Sequence, residues 1–233
     1  MEYLPNGLQL LQDDAYFKLG QDSVLLSAFA RPRRFARVLD LGAGTGVLTL
    51  LCWRDDLKMT GLELQAGAAD LFSRAVAENQ LTNVEVLNGD LRQIRTLLPH
   101  GSFDYIVCNP PYFQCGAGKV TPRDTHAMAR TDGQASIDDI AVAASYALRS
   151  GGKCAIVFRP ERLLVLMNAL QRVRLVPKRL QFVHQHAGKP PSAVLVECRK
   201  GSVPDGLTVE PPFLVQQPDG AFTAAYKQVY RLP

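Results

Sequence analysis

Apolar runs of strand length alternate with stretches of helical periodicity between residues 37 and 174. This alternation predicts parallel βαβ units, because a parallel neighbour is reached only through a crossover connection, which is usually a helix. Two more strand patterns then follow each other without a helix between them, and they predict an antiparallel hairpin at one edge. The predicted fold is therefore α/β, with a doubly wound, mostly parallel sheet of seven strands.

The bounds of these elements follow from the apolar spacing, which is continuous or alternating in strands and three to four residues in helices. The strands are predicted at Arg37–Leu41, Lys58–Leu64, Val84–Leu87, Phe103–Cys108, Lys153–Phe158, Leu180–His184 and Ala193–Cys198. The helices are predicted at Asp22–Ala30, Gly46–Trp53, Ala66–Gln80, Asp90–Leu98, Ile137–Leu148 and Glu161–Arg174. Residues 113–131 show no clear period, so we expect a long functional or mobile loop there.

The bulk composition fits a globular protein that can bury a full core, with 233 residues, of which 47% are apolar and 21% charged. No apolar run approaches the roughly 18 residues needed to span a bilayer, and the first 14 residues lack the pattern of a secretory signal. The five cysteines form no close pairs, which argues against a disulfide framework and against a zinc site. These features predict a cytoplasmic protein with reduced thiols and no bound metal.

The charge is unevenly distributed along the chain. Residues 149–200 carry 11 Lys and Arg against 2 Asp and Glu, whereas residues 1–148 carry 13 against 17. A basic segment in an otherwise mildly acidic chain suggests a face for a polyanion. Solvated helix and strand surfaces would give the same pattern, so charge alone leaves both interpretations open.

The first predicted strand runs into the turn Asp40-Leu41-Gly42-Ala43-Gly44-Thr45-Gly46. Its glycines permit a tight turn and a close approach of the backbone to a ligand, and the helix that follows presents N–H groups to an anionic group. A dinucleotide-binding fingerprint would need glycine at position 47, where this chain has valine. The acid ahead of the glycines, Asp40, suits a cationic group such as the ammonium of an amino acid.

Acidic side chains also end the next two strands. Glu63 lies 23 residues after Asp40, where a carboxylate can accept hydrogen bonds from both hydroxyls of a ribose. Asp90 can accept a hydrogen bond from an adenine amine, cap the helix that follows, or do both. Because parallel strands end at a common sheet edge, these acids and the glycine turn fit a nucleoside that bears an amino acid.

The tetrapeptide Asn109-Pro110-Pro111-Tyr112 directly follows the strand predicted at Phe103–Cys108. The Asn side chain offers an oxygen that accepts from an amine, the prolines stiffen the backbone and leave carbonyls as acceptors, and Tyr offers a flat face. Together these properties suit a planar amine. A simple Pro-Pro turn after a strand is the alternative that the four residues alone leave open.

With these motifs at one sheet edge, the chain resembles the class I S-adenosylmethionine-dependent methyltransferases, in particular the branch that methylates adenine N6, cytosine N4 or glutamine N5. The resemblance implies a Rossmann-like methyltransferase fold with S-adenosylmethionine as cofactor. It also implies that the catalytic residues Asn109 and Pro110 hold the target amine while Tyr112 stacks on the target. The residues that it assigns to the cofactor are Lys18, Gln21, Asp40, Gly42, Gly44, Gly46, Glu63, Asp90, Leu91 and Asn109.

A narrower resemblance covers about residues 15–230. The segments that carry it include Tyr16–Leu26, Phe158–Leu163, Pro177–Leu180, Arg199–Gly201 and Glu210–Pro212. They are similar to the bacterial tRNA adenine-N6 methyltransferases that modify the adenine beside the valine-tRNA anticodon. The chain departs from that family at Ala129–Asp132 and Gly188–Ser192, in expected substrate-side loops, which affects the choice of tRNA more than the chemistry.

This resemblance implies tRNA as the partner and a single methyltransferase domain without membrane contact. Residues 1–36 would cover the cofactor, residues 37–200 would form the catalytic core, and residues 201–233 would be an appendage. The basic segment would then bind RNA phosphates through Arg159, Arg162, Arg172, Lys178, Arg179 and Lys189, with Arg174 beside them. The residues do not set the oligomeric state, for which a monomer is the favoured expectation.

Two other functions stay open at this point. A protein glutamine-N5 methyltransferase shares the tetrapeptide, but such enzymes usually carry a helical substrate-binding domain ahead of the glycine turn, and here only 39 residues precede Asp40. The other is a protein that binds the cofactor and RNA without catalysis. Every motif position is intact, which argues against it.

Overall fold

The computed structural model describes residues 2–16, 18–110 and 135–232. Its main sheet contains seven strands of five or more residues, and the predicted strands correspond to them one by one. They are β3 (Arg37–Leu41), β4 (Lys58–Glu63), β5 (Val84–Asn88), β6 (Phe103–Cys108), β7 (Leu148–Phe158), β8 (Leu175–His184) and β9 (Pro191–Lys200), after a short hairpin of β1 (Glu2–Tyr3) and β2 (Gln9–Leu10). The spatial order is β5-β4-β3-β6-β7-β9-β8.

Strand β9 is antiparallel to both of its neighbours, while the pairs from β5 to β7 are all parallel. The predicted α/β fold class, with a mostly parallel sheet and an antiparallel hairpin, is confirmed. The hairpin is not outermost, however, because β10 (Thr208–Val209) and β11 (Phe213–Leu214) pair in parallel with β8. The described part of the sheet therefore has nine strands.

Helices connect the strands and pack on both faces of the sheet. They are α1 (Gln21–Phe29), α2 (Val47–Cys52), α3 (Ala66–Glu78), α4 (Ile94–Leu97), α5 (Ile137–Ala147), α6 (Leu163–Arg172) and α7 (Ala224–Tyr230). The segments Leu91–Gln93 and Pro160–Arg162 form 3₁₀ turns before α4 and α6. None of the helices in the described ranges is both long and apolar enough to cross a lipid bilayer.

Alternating side chains of the strands supply two cores. Leu39 of β3 packs with α5 and α6 on one face, whereas Val38 packs with α1, α2 and α7 on the other. Because both faces are covered, the strands read as continuous apolar runs. This doubly wound arrangement leaves the carboxyl ends of β3, β4, β5 and β6 side by side at one edge, which we call the carboxyl edge.

Strands β7 and β8 differ most from the predicted bounds, for identifiable reasons. Strand β8 begins at Leu175 although Pro177 lies within it, because the register shifts between Pro177 and Arg179 and a proline is tolerated at such a bulge. Strand β7 begins at Leu148, directly after α5, with an irregularity opposite Phe103–Tyr105. The helix predicted at Asp90–Leu98 is a 3₁₀ turn followed by the single turn of α4.

Candidate active site

A cavity opens at the carboxyl edge between β3, β4, β5 and β6. We call it the edge cavity. The predicted site residues that line it are Asp40, Gly42, Gly44, Glu63, Asp90, Leu91, Asn109 and Pro110. Tyr16, Ser23 and Thr45 also line it, although the sequence did not single them out. The structure therefore brings together most of the residues that were assigned to a nucleoside and an amine.

Asp40 is buried at the end of β3, with 1% of its surface exposed. The Thr49 hydroxyl donates a hydrogen bond of 2.7 Å to Oδ2, while Oδ1 has no partner in the described chain. Burial raises the pKa of Asp40 to about 7; the Thr49 hydrogen bonds oppose this rise, and the charge of Glu63 adds to it. Because a buried polar atom without a partner is costly, Oδ1 is a ready acceptor for a cationic group in the cavity.

The glycine turn holds the backbone in a conformation that other residues rarely adopt. Gly42, Gly44 and Gly46 have φ values of 75°, 58° and 86°. A Cβ on Gly46 would also lie 2.1 Å from the Phe72 ring, so Gly46 shapes the turn without lining the edge cavity. The neighbouring hydroxyl of Thr45 is buried without a partner in the described residues, which makes it a second unsatisfied group on this wall.

Glu63 links the glycine turn to the end of β4. Its Oε2 accepts a hydrogen bond of 2.8 Å from the Gly44 N–H, and its Oε1 accepts one of 2.8 Å from the Gln65 N–H. Each carboxylate oxygen can accept a further hydrogen bond. The side chain is thus fixed in orientation and still able to receive two hydroxyl donors.

Asp90 begins the 3₁₀ turn after β5. Its Oδ1 accepts a hydrogen bond of 2.9 Å from the Arg92 N–H, and the Arg92 guanidinium lies 2.6 Å from Oδ2. The side-chain hydrogen bond from Arg92 holds the pKa of Asp90 below its ordinary value, although partial burial opposes this. The capping role expected for Asp90 is present, and its contact with an adenine amine stays a prediction.

Asn109 follows β6 and faces the edge cavity with one end of its amide satisfied. Its Nδ2 donates a hydrogen bond of 2.9 Å to the hydroxyl of Ser23 on α1. Among the described residues no donor reaches Oδ1, so nothing in that part of the chain occupies this acceptor. Ser23 is buried, with 2% exposed. It lay within the segment expected to cover the cofactor, but nothing in the sequence could show which strand end it would reach.

Two of the remaining predicted cofactor residues do not line the edge cavity, and one predicted catalytic residue is not described by the structure. Lys18 pairs with Asp14 at 2.5 Å and does not line the edge cavity, and neither does Gln21, the first residue of α1. The segment expected to cover the cofactor instead contributes Tyr16 and Ser23 to the wall. Tyr112 lies outside the described residues, so its stacking role stays a prediction.

The predicted RNA-binding residues separate into two groups. Arg159 follows β7, Arg162 ends a 3₁₀ turn, and Lys189 lies in the β8–β9 turn, all near the carboxyl edge. The residues of the second group bond to other parts of the protein. Arg172 pairs with Asp138 at 3.2 Å, and the Lys178 ammonium donates to the Val203 carbonyl at 2.9 Å.

Arg179 requires a correction. Only 11% of its side chain is exposed, because it bonds to Glu197, Glu210 and the Phe29 carbonyl and stacks over the Phe29 ring. These contacts give Arg179 an internal structural role, and an RNA phosphate cannot reach a guanidinium that is enclosed in this way.

The described residues contain no group of three or more His, Cys, Asp or Glu side chains placed to hold a metal ion. Cys52, Cys108, Cys154 and Cys198 are buried free thiols. Burial raises the pKa of the Cys108 thiol far above its ordinary value, so this thiol is inert beside the cavity that it lines.

Residues 19–183 match a family described as the methyltransferase small domain. The chain belongs to this family. The match covers more than half of the chain and includes every residue that lines the edge cavity except Tyr16. S-adenosylmethionine is the cofactor of this methyltransferase. The unsatisfied Asp40 Oδ1 and the fixed Glu63 carboxylate fit its ammonium and its ribose hydroxyls.

Two curated relatives of this chain are named as methyltransferases that act on a tRNA adenine. A protein of Shewanella sp. (strain W3-18-1), named tRNA1(Val) (adenine(37)-N6)-methyltransferase, is 29% identical over 157 residues, which are 66% of this chain and 65% of that protein. This methyltransferase thus spans slightly less than two thirds of that relative in the alignment. A protein of the same name from Cronobacter sakazakii (strain ATCC BAA-894) is 30% identical over 222 residues, which are 92% of this chain and 86% of that protein.

Solved structures support the fold. A predicted O-methyltransferase from Agrobacterium tumefaciens superposes with a TM-score of 0.74 at 22% identity, covering 91% of this chain and 96% of that one. A SAM dependent methyltransferase from Aquifex aeolicus gives a TM-score of 0.54 at 17% identity, covering 77% and 89%. At these identities the likeness shows a shared methyltransferase fold.

Proposed function

We propose that this methyltransferase transfers the methyl group of S-adenosylmethionine to the N6 amine of an adenine in the anticodon-loop region of a cytoplasmic tRNA. The observation that carries the proposal is the position of the Asn109 amide beside the edge cavity, with Nδ2 held by Ser23 at 2.9 Å and no donor to Oδ1 among the described residues. The curated relatives named as tRNA adenine-N6 methyltransferases support the choice of substrate.

The edge cavity would hold the cofactor through groups that the fold has already oriented. Asp40 Oδ1 would accept from the ammonium, the Thr45 hydroxyl would donate to the carboxylate, and Glu63 would accept from the ribose hydroxyls. Asp90 would accept from the cofactor's adenine amine with its remaining lone pairs. The bound cofactor supplies a methyl group on a positively charged sulfur, which is an electrophile at neutral pH.

Activation of the target amine is the task of Asn109 and Pro110. An exocyclic adenine amine is a poor nucleophile because its lone pair is delocalised into the ring. Two acceptors, the Asn109 Oδ1 and the Pro110 carbonyl, would bind its two protons and turn the lone pair toward the methyl group. The new N–C bond would form as the C–S bond to the cofactor breaks, and the methylated amine would then lose a proton to water. No strong base is needed, because the proton leaves a nitrogen that has become cationic.

Tyr112 completes the proposal as a stacking platform for the extruded adenine. Stacking of a base on an aromatic side chain contributes about 1–3 kcal/mol. This offsets part of the flipping cost, which is a few kcal/mol in a duplex and smallest for a base in a loop. Extruding an adenine from an anticodon loop therefore costs less free energy than extruding one from a duplex.

Arg159, Arg162 and Lys189 would form the phosphate-binding face beside the edge cavity. Arg159 and Arg162 follow β7, the sheet neighbour of β6, and Asn109 follows β6. Lys189 lies further along the same edge, in the β8–β9 turn. Contacts of this kind raise affinity and salt dependence without reading sequence. The choice of adenine would then depend on loop shape and on the pocket around Asn109.

Transfer of tritiated methyl groups to bulk tRNA tests the proposal. We expect label in tRNA with the wild-type protein and at least a hundredfold less with Asn109→Ala, while Asn168→Ala, at an exposed position of α6, serves as the matched control with wild-type transfer. Equal labelling by Asn109→Ala and the wild type would overturn the mechanism. Label in a Gly-Gly-Gln protein instead of tRNA would point to glutamine-N5 methylation, and cofactor binding without transfer to any RNA would point to a non-catalytic role.

A further inference from the structure

A second cavity lies at the opposite end of the sheet from the edge cavity. Its wall includes Arg95 of α4, His100 just before β6, Tyr146 near the end of α5, and Lys200 at the end of β9. We call it the basic cavity. Because β9 is antiparallel to β7, its last residue lies beside the beginning of β7. The four side chains thus converge from four separate elements.

The basic side chains of this cavity have no acidic partner among the residues that the structure describes. The Arg95 guanidinium lies over the Tyr146 ring at 5.5 Å, and the His100 ring meets the same ring edge-on at 5.1 Å. The Lys200 ammonium donates a hydrogen bond of 2.7 Å to the Leu148 carbonyl, and burial lowers its pKa. No carboxylate of the described residues pairs with Arg95, His100 or Lys200, and no acidic side chain from those residues lines the wall.

Basic residues near this cavity, by contrast, do have acidic partners. Arg149, which follows Leu148 in β7, pairs with Asp104 at 2.6 Å, and Arg33 pairs with the same carboxylate at 2.7 Å. The fold therefore supplies acids where a structural ion pair is needed. The described lining of the basic cavity consists of three basic side chains, Tyr146, Ser145, Val142 and Val173, without an acid, and this excess of basic groups suits an anion.

Two stretches of the chain, residues 91–95 and helix α5, reach both the edge cavity and the basic cavity. Leu91, in the turn before α4, lines the edge cavity, while Arg95 lines the basic cavity. Likewise, α5 contributes Ile140 to the first and Tyr146 to the second. Strand β6 separates the two ends with six residues, which is about 20 Å at roughly 3.3 Å per residue. This is the distance that a polyanion bound at Asn109 would have to span to reach the basic cavity.

We propose that the basic cavity binds a backbone phosphate of the RNA substrate, about 20 Å from the methylated adenine. The site rests on the proposed function and deepens it, because it extends the RNA footprint from the carboxyl edge to the far end of the sheet. Arg95 and Lys200 supply donors to the phosphate oxygens, and Tyr146 supports the Arg95 guanidinium. A phosphate would compensate the charge of Lys200, which the described protein leaves without a carboxylate.

Binding of full-length tRNA as a function of salt tests this site. The variants are Arg95→Gln, Lys200→Gln and the double variant, and Arg74→Gln on α3 is the control because Arg74 is exposed and paired only loosely with Asp70 at 3.9 Å. Each lost phosphate contact is expected to lower the slope of log affinity against log salt by about 1. The double variant should bind tRNA roughly tenfold more weakly at moderate salt.

Two further measurements separate this inference from the proposed function. Cofactor affinity, measured by calorimetry, should stay unchanged in all variants, which shows that the fold is intact. Methylation of a single-stranded RNA of a few nucleotides around the adenine should also stay unchanged, because such a fragment is too short to reach the basic cavity.

Wild-type methylation of tRNA, combined with an unaltered affinity and salt slope in the double variant, would overturn the phosphate site while leaving the proposed function standing. Absence of methyl transfer to any RNA by the wild type would overturn the proposed function itself. Equal weakening of the short RNA and the full tRNA would also contradict the site, since it would show that the substitutions act on the edge cavity.

Discussion

Asp40 and Glu197 are both buried acids on strands of the same sheet, with 1% and 3% of their surfaces exposed, but their surroundings differ. Glu197 in β9 is satisfied on both oxygens. Tyr105 donates to it at 2.6 Å, Lys153 at 3.0 Å and Arg179 at 3.4 Å. Asp40 has one donor, Thr49, and an oxygen that the described protein leaves unpaired.

The pKa values of the two acids move in opposite directions. Burial raises the pKa of Asp40 to about 7. Burial also acts to raise the pKa of Glu197, but the hydrogen bonds from Tyr105 and Lys153 and the charge of Arg179 outweigh it, so that its pKa falls below the ordinary value. The difference teaches that the fold can satisfy a buried acid fully when the acid is structural. A buried acid with one oxygen that lacks a hydrogen-bond donor indicates a position where a ligand binds.

The largest expected effect is on stability, at Glu197. Replacing it by Gln removes the charge that compensates Arg179, and breaking a buried ion pair on one side costs about 3–5 kcal/mol. We expect the lower end, about 3 kcal/mol, because Arg179 keeps Glu210 as a partner. Urea unfolding at neutral pH measures this. Cofactor affinity should stay within twofold of the wild type. A loss of cofactor affinity together with stability would contradict a purely structural role for Glu197.

At Asp40 we expect the reverse, a loss of cofactor affinity without a loss of stability. Asp40→Asn keeps an acceptor for Thr49 but offers the cofactor an amide in place of a carboxylate, and hydrogen bonds to charged groups contribute about 1.5–3 kcal/mol. Cofactor affinity should therefore fall roughly 10- to 100-fold in calorimetry. The free energy of unfolding should not decrease, since the substitution removes a costly buried acid. A strong destabilisation with unchanged affinity would make Asp40 a second structural acid.

The pH dependence of stability should separate the two acids. Since the folded pKa of Asp40 is about 7 and its ordinary value is 3.8, the folded state holds a proton that the unfolded state has lost between these values. The contribution of Asp40 to the free energy of unfolding therefore decreases as pH rises through this window. Glu197 has a lowered pKa, so its contribution is present above its ordinary value of 4.5 and is lost as pH falls below it.

Urea unfolding from about pH 2.5 to 8 covers both windows and compares these contributions directly. Asp40→Asn should flatten the decrease toward neutral pH, and Glu197→Gln should flatten the loss on the acid side. An Asp40→Asn profile parallel to that of the wild type would show that Asp40 is ionised throughout.

The smallest effect is expected at Ser23, which satisfies one end of the Asn109 amide as Thr49 satisfies one oxygen of Asp40. Ser23→Ala should lower kcat about tenfold, the effect of roughly 1.4 kcal/mol from one lost hydrogen bond, with little change in KM for tRNA. Ser23→Thr keeps the hydroxyl and should restore most of kcat. Ser27→Ala, in the same helix but bonded only to the Val24 carbonyl, is the control. Equal loss in the Ala and Thr variants would indicate a packing effect instead.

Much of the architecture was predictable because it depends on local apolar patterns. The strands Arg37–Leu41 and Phe103–Cys108 have the predicted bounds. Helix α7 was missed because its seven residues bury mainly Tyr226, and a helix this short shows little periodicity. Strands β10 and β11 were missed because they have two residues each and exist only through pairing with β8.

The site was predictable where a motif fixes a strand end, as at Asp40, Glu63, Asp90 and Asn109. Partners from distant parts of the chain were not. Ser23 lies 86 residues from Asn109, and only the packing of α1 against the sheet brings them together. Arg179 was misplaced for the same reason, since its charge suggested a surface while β9 brings Glu197 beside it.

The central proposal is that the Asn109 amide oxygen, beside the edge cavity, activates an adenine amine in tRNA. Its most direct test is mass spectrometry of nucleosides from the tRNA of a strain that lacks this gene. The account predicts that N6-methyladenosine at one tRNA position disappears, and that the wild-type gene restores it while Asn109→Ala does not. An unchanged N6-methyladenosine content in the deletion strain, or full restoration by Asn109→Ala, would contradict it.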